Sequence, residues 1–158
     1  MNEYSLIFDC KTEENTKEIA SSVARFCQQG DVFALNGTLG MGKSVFARAF
    51  IQSLCGKVDV PSPTFTLVQM YDAPDFCIYH YDLYRIKSAE EIFELGIEEA
   101  MYDGVCLIEW PERMKGYLPK KAINIEISPN GSGRKIEISF NDNKSYQRFS
   151  ALKELNHE

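Results

Sequence analysis

A three-layer α/β/α domain on a mixed, mostly parallel sheet, with an antiparallel hairpin near its C-terminus, is what the sequence predicts. Two kinds of strand carry that expectation. Val32–Asn36 and Val105–Ile108 are short and almost wholly apolar, as strands buried on both faces are. Ile123, Ile125, Ile127 and then Ile136, Ile138, Phe140 alternate with polar residues instead, as strands with one wet face do. Between the apolar runs lie segments with apolar residues at helical spacing, which completes an α/β succession.

The elements follow in chain order. Tyr4–Asp9 reads as a short strand. Thr12 caps a helix that carries Glu13 and Glu14 in its first turn, and Ile19, Ala20, Val23, Ala24 and Cys27 line one face until Gly30 stops it. After Val32–Asn36 a glycine-rich loop leads into a second helix, with Phe46, Phe50, Ile51 and Leu54 on its core face and Gly56 at its end. Phe65–Met70 and Phe76–Tyr81 are rich in aromatic and β-branched residues and read as strands joined by a turn at 72–75. Ser88 and Glu91 form an S-x-x-E capping box that opens one helix through about Ala100. The hairpin turns at 129–133, and a last helix spans about 145–155. No repeat, low-complexity tract or linker intervenes, so 158 residues read as a single domain, 1–158, with a sizeable core.

Composition narrows the function. Apolar residues make up 44% and charged residues 25%, which argues against disorder. There are 17 basic and 23 acidic residues, a formal net charge of −6. That balance disfavours a protein whose main work is gripping nucleic-acid backbone, which takes clustered Lys and Arg. No apolar run approaches the ~18 residues of a membrane helix, so no membrane is expected. The first residues have neither a basic start nor a long apolar stretch, so no secretory signal is expected. The cysteines at 10, 27, 55, 77 and 106 are odd in number and lack a C-x-x-C pair. A disulfide scaffold or zinc cluster is therefore not expected, and a reducing cytoplasm is.

The chemistry is concentrated in Gly37-Thr38-Leu39-Gly40-Met41-Gly42-Lys43-Ser44, a full match to G-x-x-x-x-G-K-[ST]. Gly37, Leu39, Gly40, Met41, Gly42, Lys43 and Ser44 would wrap a polyphosphate with inward-turned backbone amides. The glycines keep side chains out of the way, and the following helix adds its N-terminal dipole. Lys43 reaches the β and γ phosphates, and the Ser44 hydroxyl ligates Mg2+. By composition such a match is expected about 0.005 times in a chain of this length, and the required strand before and helix after are both present. The fold expectation thereby becomes P-loop NTPase-like.

Two acids compete as the partner of the metal. Asp82 ends one apolar run and Glu109 another, and ligands of open α/β sheets sit beyond the carboxyl ends of parallel strands. One would hold Mg2+ directly or through water while the other orients the attacking water. Thr64, in Ser62-Pro63-Thr64, sits where nucleotide hydrolases place a threonine near the γ phosphate. Arg85 could contact phosphate but reads first as a partner of Asp82 or a nearby Glu, His80 reads as a structural histidine, and Trp110 as a packing residue on a turn.

Taken in order, G-T-L-G-M-G-K-S, S-P-T-F-T-L-V, H-Y-D-L-Y-R, E-E-I-F-E-L-G and I-E-W-P-E resemble the TsaE family, small bacterial ATPases of tRNA threonylcarbamoyladenosine biosynthesis. The resemblance spans Thr12 to Trp110, and the hairpin more loosely. It implies that ATP is the substrate and Mg2+ the cofactor, and that the TsaD and TsaB subunits of a threonylcarbamoyltransferase complex are partners. Contact with tRNA would be indirect or weak. It implies Ser44 and Glu109 as Mg2+ ligands, Asp82 as the family's acid on the neighbouring strand, and Thr64 as a γ-phosphate sensor. It also suggests nucleotide contacts from the Thr12-Glu13 corner and from Gly133. Two departures are small: Ser44 stands where threonine is commoner, and Met41 where alanine is.

The main alternative is a P-loop kinase acting on a small metabolite, but only Arg113 lies between Arg85 and Arg134, which leaves little for a phosphate-closing lid. A GTP-dependent switch would need an aspartate–x–x–glycine where Asp82-Leu83-Tyr84-Arg85 stands, and N-K-x-D where Asn143-Lys144-Ser145-Tyr146 stands. An adaptor with a structural nucleotide would not need Lys43, Ser44 and two acids. With no recognisable arginine finger in cis, turnover by the isolated chain is expected to be slow.

Overall fold

The computed structural model describes residues 4–37 and 42–155. Seven strands, β1 (Ser5–Cys10), β2 (Val32–Asn36), β3 (Val68–Asp72), β4 (Cys77–Asp82), β5 (Val105–Glu109), β6 (Ile123–Asn130) and β7 (Gly133–Ser139), form one sheet in the order β1-β7-β6-β2-β5-β4-β3. Central β2 pairs in parallel with β5 and β6, and β5 pairs in parallel with β4. The pairs β3–β4, β6–β7 and β7–β1 are antiparallel, so five strands run one way and β3 and β7 the other.

Helices α1 (Glu13–Phe26) and α2 (Lys43–Cys55) cover one face. There the pleat turns Phe33 and Leu35 onto Val23, Phe46 and Phe50. Phe33 meets Phe50 edge-on at 5.4 Å between ring centroids, and replacing such a ring with alanine costs about 3–5 kcal/mol. The other face takes Val32, Cys106 and Ile108 under Leu83, Ile92, Ile97 and Met114. All of β5 is buried, which is why its sequence runs without polar interruption until Glu109. Among the described residues no helix is long and apolar enough to cross a membrane, and the five cysteines are free thiols.

The α1 cap forms as a reciprocal box, with Asn15 rather than a glutamate returning the bond: Asn15 N donates to Thr12 Oγ1 at 3.2 Å, and Thr12 N donates to Asn15 Oδ1 at 3.2 Å. Three expectations are corrected. The strand expected over Phe65–Met70 is β3 at Val68–Asp72, because residues 63–67 are spent on a turn. In it Leu67 has φ 72° and its N–H donates to the Pro63 carbonyl, while Phe65 stays 79% exposed. The single helix expected from Ser88 to Ala100 is two pieces. A 3-10 segment, Ala89–Leu95, closes at Gly96, whose φ of 70° suits a residue without Cβ, and α3 (Ile97–Asp103) starts afresh. The last helix is likewise divided at Phe149 into α4 (Asn143–Arg148), capped by Asp142, and a 3-10 segment, Ser150–Leu155.

Candidate functional site

Parallel pairing brings the carboxyl ends of β2, β4 and β5 to one edge of the sheet, with Asp82 in register with Glu109 and Glu109 with Leu35. A cavity of about 570 Å³ opens there. Its floor is the start of α2: Gly42 holds a left-handed conformation (φ 98°), and Lys43 and Ser44 begin the helix. Thr64, Asp82 and Glu109 line one side, and Thr12, Glu13 and Gly133 another.

Lys43 is 6% exposed and its Nζ lies 4.5 Å from the centroid of the Trp110 ring, a cation–π contact in a partly closed site. Trp110 is itself left-handed (φ 61°, ψ 50°), which turns the ring into the cavity mouth beside Tyr84, 4.9 Å away. Both acids are buried, and a buried carboxylate needs donors. Asp82 has two: Thr64 Oγ1 donates to Oδ2 at 3.0 Å, and the Tyr84 N–H donates to Oδ1 at 3.0 Å. Glu109 Oε2 faces His80 Nε2 at 2.7 Å. Thr64 is held by the turn that displaced the strand, because the Leu67 carbonyl accepts from Asp82 N at 3.0 Å. The hydroxyl of Ser62 joins Thr64 at 2.7 Å.

Ser44, Asp82 and Glu109 bring hard oxygen donors to one cavity. That suits Mg2+, which binds a few protein oxygens and completes its shell from water and phosphate. Among the described residues no three His, Cys, Asp or Glu side chains converge, so an all-protein metal cage is not what the site offers.

The opposite corner is shaped by main chain. A Cβ on Gly133 would stand 2.4 Å from the Cys10 carbonyl oxygen, so only glycine lets β7 close onto the end of β1. The Thr12 hydroxyl is engaged in the α1 cap, and Glu13 is exposed and 3.7 Å from Lys17. Cys10 lines this corner, but burial raises its thiol pKa, with Asp9 and Glu18 adding and the Thr16 hydroxyl opposing. A protonated thiol there is not a nucleophile.

Of the residues singled out in the sequence, Thr12, Glu13, Gly42, Lys43, Ser44, Thr64, Asp82, Glu109 and Gly133 line this one cavity. Gly37 does not: it follows β2 and lies against Ile127, whose carbonyl oxygen would lie 2.6 Å from a Cβ. Leu39, Gly40 and Met41 lie outside the described residues. Arg85 does not pair with Asp82; its guanidinium lies over the Phe65 ring at 4.3 Å. Trp110 is a wall of the cavity as well as a packing residue. Tyr84, Ser132 and Arg134 also line it and were not foreseen. Tyr84 belongs to H-Y-D-L-Y-R, and Arg134 follows Gly133, so adjacency to a motif was the signal available.

A family model described as "Threonylcarbamoyl adenosine biosynthesis protein TsaE" matches residues 10–136. A Rickettsia conorii protein named tRNA threonylcarbamoyladenosine biosynthesis protein TsaE is 41% identical over 142 residues, 89% of this chain and 81% of that one. The Bacillus subtilis protein of the same name is 38% identical over 128 residues, 80% of this chain and 79% of its own. The crystal structure of Bacillus subtilis YdiB superposes with a TM-score of 0.76 at 30% identity, covering 98% of this chain and 95% of that one. With matches of this extent to sequence and fold alike, the chain belongs to the TsaE family and has its P-loop NTPase-like α/β fold.

Proposed function

We propose that the chain is a Mg2+-dependent P-loop ATPase that serves threonylcarbamoyladenosine modification of tRNA in the cytoplasm, hydrolysing ATP in concert with the TsaD and TsaB subunits. The observation that supports it is the meeting of Lys43, Ser44, Asp82 and Glu109 in one cavity at the carboxyl edge of the sheet. Family membership supports the pathway.

The start of α2 presents backbone amides and a helix dipole to a polyanion, and Lys43 adds the mobile charge. Trp110 keeps that ammonium inside the site by its ring face, which a phosphate oxygen can outbid. Ser44 and Glu109 are the residues that would hold Mg2+, which supplies charge neutralisation at the phosphates. Asp82, fixed by Thr64 and the Tyr84 amide, orients a water or its hydrogen-bond network, and Thr64 couples that acid to the 63–67 turn. Among the described residues Arg134 is the guanidinium that lines the cavity, and it sits on the hairpin next to Gly133. An arginine brought to the transferring phosphate by a partner is worth ~10³–10⁵ in rate.

ATP turnover is to be measured for the chain alone and with TsaD and TsaB. A rise with the partners is expected; equal rates would remove the coupling. In a threonylcarbamoyl-transfer assay, omission of this chain should stop multiple turnover. A metabolite-dependent burst of ADP without partners would favour the kinase reading instead.

A further inference from the structure

His80 is buried, 2% exposed, and lies two residues before Asp82 on β4, so the pleat turns both side chains to one face. Its register partner on β5 is Leu107, two residues before Glu109. The Glu109 side chain therefore reaches back along its own strand to meet the ring, Nε2 to Oε2 at 2.7 Å. An ionised carboxylate only accepts, so Nε2 carries the hydrogen and donates it. The other ring nitrogen, Nδ1, is buried and has no hydrogen-bond partner among the described residues. A bare acceptor is tolerated inside a protein better than an orphaned N–H, so the Nε2–H tautomer accounts for both nitrogens.

We infer that His80 is a positioning residue for Glu109: its Nε2–H occupies Oε2 and leaves Oε1 as the oxygen that serves the cavity. Glu109 would then offer a nucleotide-bound cation one oxygen rather than two. The pairing itself stands on the geometry, whereas the role of Oε1 rests on the Mg2+–nucleotide reading of the cavity. A glutamate at a strand end has three side-chain torsions, and an unpartnered one would sample several of them. Lysine or arginine at position 80 would also fix it, but would set a second positive charge against the cation. A single ring N–H holds the carboxyl by one hydrogen bond, as Thr64 and the Tyr84 amide do for Asp82. Hydrogen-bond partners of metal-ligating carboxylates are typically worth 10–100-fold in metal affinity.

The test uses the full chain, a non-hydrolysable ATP analogue titrated with and without Mg2+ and followed by Trp110 fluorescence, and the imidazole 15N spectrum of His80. The ring should show a protonated Nε2 and a bare Nδ1. His80→Ala should weaken the Mg2+-dependent part of binding about 10-fold or more while Mg2+-free binding stays within about 2-fold. His80→Gln, whose amide donor falls near the position of Nε2, should recover to within about 3-fold of wild type, whereas His80→Asn, whose donor falls near Nδ1, should not. If His80→Ala does not fold, the Gln and Asn variants decide. Unchanged Mg2+ dependence in His80→Ala, equal losses in Gln and Asn, or a protonated Nδ1 would overturn the proposal. If wild type binds no nucleotide while the ring shows the expected spectrum, the nucleotide reading and the role of Oε1 fall together and the pairing remains.

Discussion

The two ends of the cavity are made in different ways. At the strand edge, Asp82 and Glu109 are buried carboxyls, 5% and 6% exposed, each tied to a hydrogen-bond partner that fixes its direction. At the hairpin corner, Thr12 and Glu13 are exposed and already engaged by α1 and Lys17, and the contour comes from a missing side chain at Gly133. One end acts through held charge, the other through shape. Substitutions at the first should therefore change chemistry more than fold, and at the second fold more than chemistry.

The largest effect should come from Lys43→Ala. It removes the buried ammonium at the start of α2, and turnover should fall about 10³-fold, with calorimetric binding of Mg2+–ATP lost or nearly so. Retained turnover would break the charged half of the contrast. Glu109→Ala comes next: turnover should fall about 10²-fold and the Mg2+-dependent part of nucleotide binding about 10-fold or more, while Mg2+-free binding changes far less, separable by comparing turnover with titrations with and without Mg2+. Equal losses with and without Mg2+ would make Glu109 a direct nucleotide-binding residue. At the corner, Gly133→Val should push β7 from the end of β1 and destabilise by about 1–3 kcal/mol, read as a lower midpoint in chemical denaturation. Loss of turnover without loss of stability there would erase the distinction. Smallest is Thr12→Ala, which should remove a helix cap and cost about 1 kcal/mol with nucleotide affinity unchanged. A large change of affinity at constant stability would turn the corner into a polar recognition site.

Legibility in the sequence followed locality. β2 and β5 were readable because a strand buried on both faces has no polar alternative, and α1 because its cap and its apolar stripe lie within one segment. Residues 65–67 read as strand but belong to the turn at 63–67, since Phe65 and Leu67 have strand-like side chains but are placed by a left-handed Leu67 and by bonding to Asp82. Gly96 divided a segment whose capping box was nonetheless real. Arg85 was expected to seek a carboxylate and instead lies on an exposed ring.

By itself the sequence determined the strands buried on both faces, the capped first helix, the G-x-x-x-x-G-K-S motif and the acids at the strand ends, because periodicity, glycine placement and terminal residues are written within a few positions of one another. Only the tertiary structure decided which strands are neighbours, and so which side chains meet. His80 finds Glu109 across 29 positions and Thr64 finds Asp82 across 18, both through a β4–β5 register and a turn that no local pattern encodes. Gly133 closes onto Cys10 because β7 lies between β6 and β1. Strand order and register are set by burial summed over the whole sheet, and a single residue's chemistry does not contain that sum.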